Sequence, residues 1–135
     1  MRTLLFQLTG WMLFSSIVAL AEASSAQDRA AQPNCQDPQT QLDMNLCAAK
    51  AAQTADRTLN QVYRRVRAIY QGTALDKQLI DAQLAWMTFR AENCTFAKRR
   101  FEGGSIAPMI EQSCMERLTR QRTEELASFL ERDKL

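Results

Sequence analysis

The chain has 135 residues, with 17 Lys and Arg against 15 Asp and Glu, four Cys and no His. That length accommodates one small domain. A formal charge of only +2 sets up no strong field for nucleic acid or an anionic membrane, and the lack of His removes Ser-His-Asp and Cys-His catalysis.

Met1-Arg2-Thr3 is a short basic start, and Leu4 to Leu20 is mostly apolar, interrupted by Gln7, Thr9 and Gly10. Ala19-Leu20-Ala21 and Ala21-Glu22-Ala23 place small residues where a signal peptidase reads them. This is the layout of a secretory signal peptide over residues 1–21. An uncleaved anchor helix is the competing reading, since the run is just at spanning length; the polar interruptions and the small-residue pattern favour cleavage. No Cys lies near the cleavage point, the first being Cys35, which argues against lipid attachment there. Residues 22–39 are small and polar with Pro33 and Pro38, an irregular lead-in to a helical domain over 40–135.

Thr40-Gln41-Leu42-Asp43 has the form of a helix start, with Thr40 as N-cap and an acidic residue three positions on. Leu42, Leu46, Ala49, Leu59, Tyr63, Val66 and Tyr70 then fall on helical spacing, and neither Gly nor Pro intervenes before Gly72. Asp56, Asn60 and Tyr63 make the middle of this stripe polar, either as locally bonded edge residues or as an inward cluster needing partners from another helix. Gly72 suits the C′ position that ends the helix.

A second helix is expected from about Leu75 to Phe101, with Leu79, Ala82, Trp86, Phe89 and Phe96 as its core stripe. Arg90 flanks that stripe and is a candidate partner for Asp56. Gly103-Gly104-Ser105 reverses the chain, Ser105 being the expected N-cap of a third helix with Pro108 in its first turn. Ile106, Ile110, Cys114, Leu118, Leu126, Phe129 and Leu130 carry the apolar face of that helix. The basic runs Arg64-Arg65, Lys98-Arg99-Arg100 and Arg117 to Arg122 are interspersed with acids and read as solvated faces. The expected fold is all-α, a three-helix up-down-up bundle with two disulfides.

In an oxidising compartment an even number of Cys in a small domain implies disulfides. With no His and no close paired Cys spacing, a metal site is disfavoured. At about 1.5 Å per residue, Cys94 lies roughly 10 Å before the glycine turn and Cys114 roughly 13 Å after it, nearly level in a helical hairpin. Cys35–Cys47 is then the partner bridge. The first helix begins at the same end of the bundle as the turn, so all four sulfurs can gather there and the cross pairings stay open.

Cys35, Asp43-Met44-Asn45 before Cys47, Ala55-Asp56 with Leu59-Asn60 and Tyr63, and the whole pattern from Gln83 to Arg122 resemble the lysozyme inhibitor LprI-like N-terminal domain family. The resemblance spans about residues 35 to 130. It implies a small, helical, disulfide-bonded envelope protein, and the family's named member inhibits lysozyme. Two departures are visible: Ala91 stands where the family commonly has an acidic residue directly after the Arg, with Glu92 one place on, and the lipid-attachment Cys is missing. The latter suggests a periplasmic or secreted location.

The leading functional expectation is a proteinaceous inhibitor that binds a lysozyme cleft, with Gly103, Gly104 and Ser105 as the candidate partner-binding turn. Asp56, Asn60 and Arg90 form a candidate structural polar cluster. The alternative is a non-inhibitory protein–protein interaction module of the envelope. An enzyme is disfavoured because nothing pairs carboxylates such as Asp56 and Glu92 as acid and base. Neither cofactor, nucleic acid nor a stable membrane anchor after signal cleavage is expected; the partner is a protein, with a lysozyme as the candidate.

Overall fold

The computed structural model describes residues 33–132; the signal-peptide reading of 1–21 and most of the lead-in of 22–39 lie outside them. Three helices follow in order, α1 (Gln41–Tyr70), α2 (Ala74–Arg99) and α3 (Ala107–Arg132), with no strand among the described residues. Residues 33–40 before α1 form neither helix nor strand.

Local chemistry sets the ends. Thr40 caps α1 through a full capping box, its hydroxyl accepting from the Asp43 amide at 3.0 Å while the Asp43 carboxylate accepts from the Thr40 amide at 3.2 Å. Gly72 follows the C-cap with φ +81°, a left-handed conformation open to glycine at little steric cost. In α3 the first backbone bond inside the helix runs from Ile110 N to Ile106 O, so Ile106, and not Ser105, occupies the N-cap position. Pro108 sits in the first turn, where a missing amide costs nothing.

The chain runs up, down and up. α1 and α3 are parallel with a constant offset: Asn45 reaches Ser105 near one end, and Val66 packs with Leu126 farther along. Their contact is the most extensive helix pair; α2 packs chiefly on α3 and only sparsely on α1. One apolar cluster is built on Leu59, Val66 and Leu126, with Tyr63, Leu79 and Phe129 around it. A second is built on Cys94, Cys114 and Leu118. Trp86 packs against both and joins them.

The disulfides are Cys35–Cys47 and Cys94–Cys114, so the local pairings hold and the cross pairings are excluded.

The expected core stripe of α2 needs correction. Leu79 and Trp86 face inward, but Ala82 is exposed, as are Phe89 (55%) and Phe96 (69%). The cause is rotational. The bond to Cys114 turns Cys94 toward α3, and at about 100° per residue Phe89 and Phe96 then lie roughly 140–160° away around the helix. Gln83 and Cys94 are buried in their place. In α1, Leu42 and Leu46 are likewise exposed, while Ala52 and Ala55 carry the buried face, because small residues let the α1 and α3 backbones approach.

Truncation separates the two kinds of apolar residue. Leu126→Ala should cost about 2–5 kcal/mol by opening a cavity, whereas Phe96→Ala should change stability by less than about 0.5 kcal/mol; urea denaturation followed by far-UV circular dichroism measures both.

Candidate functional site

The turn between α2 and α3 is a short run of tight hydrogen bonds. Phe101 N donates to Lys98 O at 2.9 Å, Glu102 N to Arg99 O at 3.2 Å, Gly104 N to Phe101 O at 3.0 Å and Ala107 N to Gly104 O at 3.2 Å. The two glycines serve different needs. Gly103 takes φ +80°, whereas a Cβ at Gly104 would stand 3.2 Å from the Phe101 carbonyl oxygen. Residues 99–105 are all exposed.

Two side chains of α1 hold this turn from below. Asn45 Nδ2 donates to Ser105 O at 3.0 Å, and Gln41 Nε2 donates to Asn45 Oδ1 at 3.0 Å, fixing the amide. Asn45 belongs to the Asp43-Met44-Asn45 run, but sequence gave no reason to place it against a residue sixty positions away. Cys47 lies two residues farther along α1, and Cys94–Cys114 ties the two helices that flank the turn.

Deeper in the bundle, Arg90 Nη1 donates to Asp56 Oδ1 of α1 and to the buried Thr119 Oγ1 of α3, the latter at 2.6 Å. The guanidinium carbon lies 4.8 Å from the centroid of the Trp86 ring, a cation–π contact. Asp56 and Arg90 are thus brought together; Asn60 is exposed and its side chain makes no hydrogen bond among the described residues, so it stands apart from the pair. Thr119 joins instead. Thr119 lies seven residues before the fully buried Leu126, on nearly the same face of α3. One turn beyond, Arg122 Nε donates to the buried Gln83 at 3.1 Å.

At the end of the bundle away from the glycine turn, Arg67 pairs with Asp76 at 2.9 Å. The hydrogen bond Arg67 donates to Asp76, helped by the carboxylate's charge, raises the Arg67 guanidinium above its ordinary value, so this tie stays cationic on the Arg side at all working pH.

No group of three or more His, Cys, Asp or Glu is arranged to hold a metal among the described residues, and none of their helices is long and apolar enough to cross a membrane. A concavity of about 580 Å³ lies between α1 and α3, floored by Ala51 and Ala55 and bordered by the Cys35–Cys47 bridge, Thr58 and Glu116. Lys50 and Arg120 also border it, so it presents both signs of charge and no cluster of one kind.

These features define a class: a small all-α protein, stapled twice, with an exposed and braced turn between its second and third helices. The family model for lysozyme inhibitor LprI matches residues 19–126, and the chain belongs to that family. The family is one of inhibitors rather than enzymes. The chain is 37% identical over 114 residues to an uncharacterized protein of Rhizobium meliloti (strain 1021), a match covering 74% of this chain and 81% of that relative. No solved structure matches it.

Arg90 should resist conservative replacement. Arg90→Leu leaves the Thr119 hydroxyl buried without its donor and should cost about 1–3 kcal/mol; Arg90→Lys, lacking the planar fork, should recover less than half of that loss in the same urea titration.

Proposed function

We propose that this protein is an exported lysozyme inhibitor that enters the enzyme's cleft with the turn at residues 101–105. Membership of the inhibitor family supports the activity. The observation that carries the choice of surface is the bracing of an exposed turn by Asn45, two glycines and a flanking disulfide. A turn already held in one conformation loses little entropy on binding. Two disulfides in so short a chain fit an oxidising compartment outside the cytoplasm, in accord with a periplasmic or secreted location.

The chemistry at the turn suits a cleft lined by carboxylates. Lysozymes cleave with a pair of acidic side chains. The amides of Gly103 and Ser105 and the Ser105 hydroxyl make no hydrogen bond among the described residues, so they are donors available to an acceptor. Arg99 and Arg100, both exposed, add positive charge immediately before the turn and outnumber its one carboxylate, the exposed Glu102. Recognition on this reading is local. The near-neutral chain contributes little long-range steering toward a basic enzyme, and affinity comes from the fit of the turn and its donors.

The alternative, a non-inhibitory interaction module of the envelope, draws support from a different surface, the apolar side chains exposed along α2. The two readings separate in one experiment. Purified, oxidised protein at micromolar excess should slow the clearing of a peptidoglycan suspension by a c-type lysozyme. Ser105→Trp together with Arg100→Glu should weaken that inhibition at least about ten-fold, a loss of roughly 1.4 kcal/mol, with the helical circular dichroism unchanged. An absence of slowing by the parent protein rejects inhibition of that enzyme. Inhibition that survives the turn variant rejects the turn as the contact.

A further inference from the structure

Leu75, Ala82, Phe89 and Phe96 recur at intervals of seven along α2, and all four are exposed, the three large ones at 51%, 55% and 69%. A seven-residue repeat keeps to one face of a helix with a slow left-handed drift, the pattern of a seam between two helices. Among the described residues this seam has no partner, because α2 is turned to α3 through Cys94, Arg90 and Gln83 and touches α1 sparsely. Function as a turn-borne inhibitor makes no use of it.

We propose that the α2 seam pairs with the α2 seam of a second copy of this chain, antiparallel, about a two-fold axis passing between Ala85 and Trp86. The argument is self-complementarity. In an isologous contact each residue must tolerate the residue its own symmetry mate brings opposite. With the axis at that point, Phe96 faces Leu75 of the second copy and Phe89 faces its Ala82, so each large ring meets a smaller side chain in both halves. The outer flank, three residues on from each seam position, is Gln78, Ala85, Glu92 and Arg99, every one exposed. There Ala85 comes nearly level with Ala85 of the second copy, where small side chains allow close approach. Glu92 meets Gln78, an amide that can donate to it. No like charges are brought together along the seam or this flank. Sliding one copy by a full heptad would stack Phe89 on Phe89 or Ala82 on Ala82 and strand a residue at each end, so the pattern selects one register.

Size sets the strength. A 26-residue helix is about 39 Å long and about 10 Å across, so pairing along it buries on the order of 800 Å² in total, below the standard size of a stable interface. The dimer is therefore a weak one that forms at high micromolar concentration and not an obligate assembly. Its contact surface lies on α2 and leaves the turn at residues 101–105 outside the pairing.

Sedimentation of the full mature, oxidised protein across about 10 µM to 1 mM tests this. The expected result is a concentration-dependent rise of the mass from monomer toward dimer. Phe89→Glu should shift the midpoint at least about ten-fold upward, while Met87→Glu, exposed but about 160° around α2 from the seam, should leave it within two-fold. Under mild oxidation Ala85→Cys should give a covalent dimer joined at that residue, and Met87→Cys, exposed and about 160° away around the helix, should not. A monomer at every concentration overturns the proposal, as does equal sensitivity to Phe89→Glu and Met87→Glu or equal cross-linking at both cysteine positions. Since the readout is mass, failure here leaves the lysis assay untouched, and the reverse also holds.

Discussion

The disulfide between Cys94 and Cys114 is the constraint on which the rest of the arrangement depends. α1 and α3 pack along their lengths through Leu59, Val66 and Leu126 and need no covalent help to define each other's phase. α2 is different. Its buried residues are Gln83 and Cys94, so it brings little apolar area of its own to the core beyond Leu79, Trp86 and Ala97. What fixes it is a ladder of specific ties to α3: Lys98 with Glu111, Cys94 with Cys114, Arg90 with Thr119 and Gln83 with Arg122. The covalent rung sets both height and rotation, and the polar rungs fall into place around it.

A polar ladder specifies geometry more than it adds stability. The Arg90–Asp56 pair has its Asp end nearly half exposed, at 45%, which limits both the desolvation it suffers and the net stabilisation it contributes. Its role is positional. By reaching Asp56 on α1 and Thr119 on α3 from one nitrogen, Arg90 fastens α2 to both other helices through hydrogen bonds. Trp86 beneath the guanidinium does the same for the two apolar clusters.

The same rotation has opposite consequences at the two surfaces of α2. Toward the turn it supplies rigidity, because α2 and α3 cannot splay around Gly103 and Gly104 while the bridge is closed. Along the outer face it displaces Phe89 and Phe96 from the core and leaves an apolar seam in water. A small domain has limited capacity to hide aromatic side chains, and here a covalent requirement outranked burial. The braced turn and the seam are thus two products of one bond, and they point to separate contacts.

Much of this was legible in the residues. Three helices, their limits to within a few positions, the Thr40 cap and the Gly72 stop follow from short-range rules of capping and glycine conformation; helical rise favoured the local disulfide pairs but left the cross pairings open, and Arg90 with Asp56 was one candidate pair. The family resemblance rested on residues that the structure puts to structural use, Asn45 and the cysteines among them. Three things needed the tertiary structure. The rotation of α2 depends on a bond to another helix, so a stripe chosen by hydrophobicity took Phe89 and Phe96 for core. The partner of Asn45 is sixty residues away, beyond any local pattern. Thr119 looked like one more polar residue in a basic run until the phase of α3 turned its hydroxyl toward Arg90. Sequence by itself determined what each helix is and where it stops, because those choices are made within a turn or two of chain. Which face each helix hides was decided only when the helices met, because that depends on the long-range bonds they make to one another.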